Sequence, residues 1–564
     1  MIRNKFSCCA AIIAALACSI FVFASAKEKE NSSDVKFTAR AELVLIPTLV
    51  TDKSGHHITG LKQEDFTVLE NGAEQKIATF EEITSDPHRL SRAKNPNEFG
   101  NALSGGSSNR RITLIVLDLI NTAFMDQARS RADLLKYLTQ SVDQREPTAL
   151  YTLTRSGIHV VHDFTTDPRV LVAALHKVKG DTFQMVDSDE TVEAMTGSAS
   201  PDGSAGVDPG AVQTEAQNIQ TMLEDAELNF KSFEQRLAIT YTLDGLQQVA
   251  QGLAGFPGRK SLIWAGGGFP FNVSDNMQLA PIGRDTLSDV FPMYEHTWQL
   301  LNDAQISLYP VDVKGLVVPM ANASVGNPGP NYARNMNRRL MDTQAALETF
   351  ASMTGGRAYY NSNDLVKGFR DAVNDSAEYY MLGYYLDRSK TKPGWRKLAV
   401  KVKREHTEVR ARTGFFVTNA TVDPENSRNN DISSALQSPL DYTSLALVAR
   451  WDKVEAAKEN GKKRVNYQIH LAPDVAAIDA ADNNRIALDF VALAKTPDGK
   501  QADPPTDQKF DAHLNPEKLS SIRQNGVGYR GFLDLAPGEY TVRFVVRDNL
   551  SGRIGSVAAP LRVD

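Results

Sequence analysis

ITLIVLDLINTAF (residues 112–124) decides how this chain is read. An apolar run without polar alternation suits a strand covered on both faces, as in a parallel sheet flanked by helices. One residue breaks the run, Asp118, and a carboxylate at the end of a buried strand needs partners. Two readings are open: Asp118 is a hydrogen-bonded cap of the strand end, or it anchors a site that grips a partner.

On either side of this stretch the middle of the chain alternates strand and helix. MDQARSRADLLKYLTQSVD (125–143) has helical spacing, with Ala128, Ala132, Leu135 and Leu138 on one side. TALYTLTR (148–155) and IHVVHDF (158–164) read as strands joined by the tight turn Ser156-Gly157. DPRVLVAALHKV (167–178) opens with an Asp cap and Pro at the first helical position. Residues 181–212, rich in Asp, Gly, Ser and Pro, predict a mobile surface loop. A long helix (about 213–254), the strand KSLIWAG (260–266), a helix (about 286–303) and the strand ISLYPVDV (306–313) follow. A second long loop (316–334), a helix ending at Gly355-Gly356 and RAYY (357–360) complete about six alternations. Such alternation predicts a mostly parallel sheet with helices on both faces.

The flanks differ. Residues 41–83 read as short strands with turns at Ser54-Gly55 and Asn71-Gly72, and 84–109 as a linker. Antiparallel strands return over 378–418 in EYYMLGYYLD, WRKLAVKVKRE and TEVRARTGFF. A polar linker is expected over 419–438, and residues 439–564, strand–turn–strand throughout, predict an immunoglobulin-like β-sandwich.

The amino terminus, MIRNKFSCCAAIIAALACSIFVFASA, has a basic start, an apolar run and a small-residue ending. It reads as a secretory signal over residues 1–26, followed by a flexible stretch over 27–40. Cys8, Cys9 and Cys18 all lie in it, so the mature chain has no thiol, no disulfide and no cysteine ligand. No transmembrane segment is expected after cleavage. Without Arg3 and Lys5 the 62 basic residues become 60 against 68 acidic ones, a net charge of −8, which argues against nucleic acid as a partner.

Several runs resemble the von Willebrand factor type A domain, in its variant found in secreted acidobacterial proteins. VTDKSGHHITGLKQEDFTVLENGAEQKIATF resembles the β-rich preface of that family. ITLIVLDLINT looks like its first core strand and metal loop, GRKSLIWAGGG like its fourth strand, and LNDAQISLYPVDVKGL with FASMTGGRAYYNSNDL like its last two strand units. YYMLGYYLD, WRKLAVKVKR and VRARTGFF are similar to its closing strands. The likeness spans about 41–416. It implies a Rossmann-like von Willebrand A domain over 110–377, inserted in a β-sandwich built from both flanks, 41–83 and 378–418. Neither flank alone has strands enough for a sandwich.

The resemblance also implies a metal-ion-dependent adhesion site: Asp-x-Ser-x-Ser on one loop, Thr on a second and Asp on a third. Oxygen ligands of that kind suit Mg²⁺ or Mn²⁺. Carried over, Asp118 matches the first Asp, Ile120 stands where the first Ser should be, and Thr122 keeps the second hydroxyl. Thr165 fits the loop Thr, with Thr166 beside it, and the third Asp falls near Gly266 and Gly267, where no carboxylate exists. The site is degenerate. Asn121 offers an amide oxygen, and Asp126 or Asp312 could approach from nearby loops. The expectation is a secreted or periplasmic adhesion or scaffold protein, not an enzyme, meeting another extracytoplasmic protein through the edge that carries Asn121, Thr166, Gly266, Gly267 and Gly268. A structural envelope component without ligand is the alternative, and a hydrolase a further one. Neither a Gly-x-Ser-x-Gly elbow in a strand–turn–helix setting nor a His-Glu-x-x-His motif is present to support the last.

Overall fold

A computed structural model describes residues 41–84, 97–101, 112–140, 146–178, 209–269, 290–316, 330–375, 377–387, 391–417, 424–457 and 461–564. The expected signal and N-terminal stretch (1–40) and most of the acidic loop lie outside the described residues. The fold is mixed α/β, with several antiparallel sheets and one sheet that is mostly parallel.

The N-terminal strands are β1 (Ala41–Asp52), β2 (Phe66–Glu70), β3 (Ala73–Gln75), β4 (Thr79–Thr84) and β5 (Glu98–Gly100). Next come β6 (Ile112–Asp118), α1 (Phe124–Gln140), β7 (Thr148–Thr154), β8 (Gly157–Thr165), α2 (Pro168–Leu175), α3 (Pro209–Leu253), β9 (Lys260–Gly266), α4 (Phe291–Asp303), β10 (Ile306–Asp312), α5 (Pro330–Thr354) and α6 (Leu365–Asn374). Five of these strands form one sheet in the order β10-β9-β6-β7-β8, with β8 antiparallel to β7 at the edge. RAYY, expected as a sixth strand, contributes a single bridge, Val311 to Tyr359.

Every residue of β6 is buried, as its unbroken apolar run requires. Alternate side chains serve opposite faces. Leu114 and Val116 share a core with Leu243 and Leu246 of α3, Trp298 of α4 and Phe350 of α5. Ile115 and Leu117 meet Leu134 of α1, Leu171 of α2 and Phe369 of α6. The inward face of α1 is Leu134, Tyr137 and Leu138, not the expected line through Ala128 and Ala132. Gln127 also turns inward, where its Nε2 donates to the carbonyls of Leu119 and Thr122. That anchoring sets the helix rotation.

After α6 come β11 (Glu378–Asp387), β12 (Gly394–Val402), β13 (Thr407–Arg410) and β14 (Gly414–Val417). They interleave with the first strands in two four-stranded sheets, β13-β1-β11-β4 and β14-β12-β2-β3. The segments before and after the α/β part therefore close the same sheets. Buried Glu70 of β2 ties them, accepting from Tyr384 Oη at 2.9 Å and Arg396 Nε at 2.6 Å.

The C-terminal part comprises α7 (Pro424–Gln437), β15 (Val448–Ala456), β16 (Lys463–Leu471), β17 (Arg485–Lys495), β18 (Thr506–His513), α8 (Pro516–Asn525), β19 (Val527–Leu535), β20 (Gly538–Asp548) and β21 (Ile554–Val563). Two sheets, β19-β16-β15-β5 and β18-β17-β20-β21, draw on one core that includes Tyr467, Ile469, Phe490 and Phe544.

Both expected linkers depart from the reading. Residues 98–100 form β5, an edge strand paired with Val448–Arg450 of β15. Residues 424–437 form α7, whose Ile432 and Ala435 pack on Val491 and Val545 while Arg428 pairs with buried Asp489 at 2.5 Å. Polar composition hid both elements, because each buries only a few side chains on a surface supplied by the C-terminal sheets. Thr443 then joins these sheets to α3: its Oγ1 accepts from Gly255 N at 2.7 Å, and its N–H donates to Gln251 O at 3.0 Å. A Cβ at position 255 would lie 2.2 Å from the Thr443 carbonyl oxygen, so glycine is required there.

Candidate functional site

The loop after β6 folds back onto its own strand end. Asp118 is buried, and both of its carboxylate oxygens are taken. Oδ1 accepts from the backbone N–H of Ile120 (3.1 Å) and Asn121 (2.9 Å). Oδ2 accepts from Asn121 Nδ2 (2.7 Å) and Trp264 Nε1 (2.9 Å). The first pair is the local turn that aspartate makes with backbone two and three residues on. The second comes from neighbouring β9. Burial pushes the Asp118 carboxyl upward, against the pull of these donors toward the ionised form.

The rest of the loop is equally committed. Asn121 Nδ2 also donates to Thr242 Oγ1 of α3 at 2.9 Å. Thr122 Oγ1 donates to the Asp118 carbonyl and accepts from Gly267 N at 2.9 Å. Close approach makes the glycines necessary: a Cβ on Gly266 would sit 2.9 Å from Asp118 Cβ, and one on Gly267 2.6 Å from Asn121 O. Gly266, Gly267 and Gly268 are all buried, with the Lys314 side chain over Gly267 and Thr343 of α5 over Gly268. Asp312, opposite Gly266 in the β9–β10 register, accepts from Lys314 N at 2.9 Å. Burial raises its pKa, and the nearby Asp126 charge adds to the rise.

Asp118, Asn121, Thr122 and the three glycines are thus gathered at one edge of the sheet. Thr165 and Thr166 are not. β8 runs antiparallel, so Thr165 pairs with Thr148 at the start of β7, while Asp118 pairs with Leu153 near its end. Five residues of strand separate the two levels, about 17 Å. The turn at Ser156-Gly157 sends the chain back to the opposite edge, where Thr165 Oγ1 accepts from Asp167 N.

A Mg²⁺ or Mn²⁺ ion requires several oxygens with free lone pairs converging on one point. Here the carboxylate faces four N–H donors, the Thr122 hydroxyl is engaged on both sides, Ile120 is apolar and position 266 has no side chain. The donor set does not fit such an ion. Among the described residues, no group of three or more His, Cys, Asp or Glu side chains is placed to hold a metal.

Sequence reasoning missed Thr242 and Trp264. The tryptophan carried a signal: a buried indole N–H needs an acceptor, and KSLIWAG places it two residues before the edge glycines. Thr242, inside a long helix, carried none.

Outside this closed layer the edge exposes other side chains. Phe124 and Met125 begin α1, and Met125 is 77% exposed. Lys314 and Leu316 follow β10, with Leu316 54% exposed. Arg129 fixes them in place, donating to Lys314 O (3.1 Å) and to Asn363 Oδ1 (2.7 Å), which also accepts from Leu316 N (3.0 Å).

No protein-family model and no curated protein matches this chain. Among solved structures it is similar to an aerotolerance-related membrane protein from Bacteroides fragilis carrying multiple mutations to serine. That match has 10% identity, covers 47% of this chain and 98% of the other, and has a TM-score of 0.23, too low to carry fold or function across. No helix among the described residues is long and apolar enough to cross a membrane.

Proposed function

We propose that this chain is a secreted or periplasmic, non-enzymatic protein-binding scaffold. Its α/β part is a von Willebrand A-like domain inserted in a β-sandwich, and an immunoglobulin-like sandwich follows. The partner is another extracytoplasmic protein, met at the edge that carries Asp118 without a bridging cation. One observation carries this reading: Phe124, Met125, Lys314 and Leu316 stand exposed beside the closed Asp118 loop. Gly267, packed against Asn121 O, lies beneath the Lys314 side chain, so the closed loop backs the basic part of that layer. Exposed apolar side chains held by fixed backbone suit protein recognition better than solvent.

The test is affinity capture from the organism's own envelope fraction, with wild type beside Met125→Asp and Leu316→Asp. Bands retained by wild type and lost from both variants are expected. Equal recovery from all three would favour the second reading, a structural envelope component without a ligand. Saturation of Asp118 and the interlocking of the three parts speak for that alternative.

A further inference from the structure

Arg259 stands just before β9 with 1% of its surface exposed, and no carboxylate pairs with it among the described residues. Its guanidinium meets only neutral oxygens. Nε donates to Ser307 Oγ at 2.7 Å, and Nη2 donates to Tyr309 Oη at 3.1 Å and to Gly355 O at 2.6 Å. Nη1 is buried and has no hydrogen-bond partner among the described residues. Arginine does not shed its proton, so burial keeps a full positive charge here. Such a charge is costly unless a counter-charge is supplied.

Two more buried donors without acceptors stand close by, Tyr359 Oη and Arg410 Nε. Tyr359 bridges Val311 of β10, two residues from Tyr309, so the two tyrosines share one face of the sheet. Helix α6 crosses Tyr359 at Gly368, where a Cβ would lie 3.3 Å from the Tyr359 Cβ and Cγ. Asp375, the C-cap of α6, is held by both terminal nitrogens of Arg410 of β13, with Nη2 at 3.0 Å. That leaves Arg410 Nε 3.8 Å from Glu408 Oε1, on a side chain half exposed to solvent. Gly355, an acceptor for Arg259, lies against the same stretch: a Cβ there would be 3.2 Å from the carbonyl carbon of Ala411, next to Arg410. Both tyrosine hydroxyls are near enough to act on the Arg410 charge.

We propose that these donors form a site for a small monovalent anion, chloride, where the central sheet meets the flanking strands. Arg259 supplies the charge that the anion balances, since Asp375 already neutralises Arg410. Arg259 Nη1, the Tyr359 hydroxyl and Arg410 Nε supply the hydrogen bonds. Water would satisfy those donors but leave the Arg259 charge unmet. Complete burial of Arg259 and Tyr309 favours a small ion over a multiply charged one, whose desolvation costs more.

The consequence is structural. Arg259 N donates to Tyr379 Oη of β11 at 3.0 Å, and Arg410 belongs to β13, so both meet the sheet β13-β1-β11-β4. An anion at this point ties β10 and α6 of the α/β part to that sheet, and the joint tightens when the ion binds.

The test follows the melting temperature of the purified chain in sodium chloride and in sodium gluconate at equal ionic strength. A ligand that binds only the native state raises it by linkage. Wild type is expected to melt higher in chloride, with a rise that saturates, and bromide should substitute. Tyr359→Phe removes a hydroxyl that has no partner, so its melting temperature in gluconate should match wild type. Its half-maximal rise should need about tenfold more chloride. Arg259→Met should abolish the rise; where that variant does not fold, Tyr359→Phe decides alone. Equal melting of wild type in chloride and gluconate overturns the proposal and leaves water as the partner of these donors. A rise of unchanged size and midpoint in Tyr359→Phe places the anion elsewhere and overturns it too.

Discussion

Trp264 Nε1 donates to Asp118 Oδ2 at 2.9 Å across the β6–β9 boundary, inside the core. The bond links two residues that sequence separates by 146 positions, on strands already paired along their length. It also replaces, with an indole N–H, the open coordination that an adhesion site would keep.

Trp264→Phe keeps the ring in the core but leaves Asp118 Oδ2 with Asn121 alone. The expected loss is about 1–3 kcal/mol, the cost of an under-satisfied buried carboxylate. Asp118→Ala strips four donors of their acceptor and should cost more, about 3 kcal/mol or above. Urea unfolding measures both. A loss below about 0.5 kcal/mol for Trp264→Phe would mean that the bond contributes nothing to stability.

Millimolar Mg²⁺ or Mn²⁺ should leave the melting temperature of wild type unchanged. A ligand that binds only the native state must raise it by linkage. A metal-dependent rise that disappears in Asp118→Ala would restore an ion to this edge.

Lys260 opens β9 with its ammonium buried, donating to Ala304 O at 2.5 Å at the end of α4. Burial pushes its pKa down from 10.5 to about 7. Between those values the unfolded chain holds more protons than the native one, so this group makes stability rise with pH from about 7 to about 10.5. Below pH 7 the buried ammonium opposes folding. Lys260→Met should flatten that slope, with the wild-type minus variant difference approaching about 4 kcal/mol across the window. Denaturant melts at pH 6.5, 8.5 and 10 would read it, and parallel curves for the two proteins would refute the assignment.

Asn101 is buried between β5 and the C-terminal sheets. Its Nδ2 donates to Tyr442 O (2.6 Å) and Leu445 O (2.9 Å), and its Oδ1 accepts from Leu447 N (2.8 Å). Asn101→Ala removes the side-chain partner of Leu445 O and Leu447 N, leaves Tyr442 O with Ser556 N alone, and should cost about 2–4 kcal/mol. Hydrogen exchange at residues 98–100 should speed up well before global unfolding. Unchanged protection there would mean that β5 is held by its strand pairing alone.

Much of the fold was legible because burial writes itself into composition. ITLIVLD, KSLIWAG and ISLYPVD are apolar on both faces, and each is a fully buried strand of the central sheet. At the candidate site the sequence also put Asp118, Asn121, Thr122 and the edge glycines together. It failed for Thr165, although the tight turn Ser156-Gly157 was itself legible: a turn that short makes β8 antiparallel to β7 and carries Thr165 to the opposite edge, whereas the resemblance had placed it beside Asp118.

What the chain determined locally is the set of buried strands, the caps of α2 and the turn geometry around Asp118, since each depends on neighbours a few residues away. Tertiary structure alone decided that Glu98–Gly100 would be a strand, that Pro424–Gln437 would pack as a helix, and that Trp264 and Thr242 would close the site. Those outcomes depend on partners more than a hundred residues distant or on a surface supplied by other sheets. A short polar segment gains too little from its own side chains to declare its structure until that surface exists.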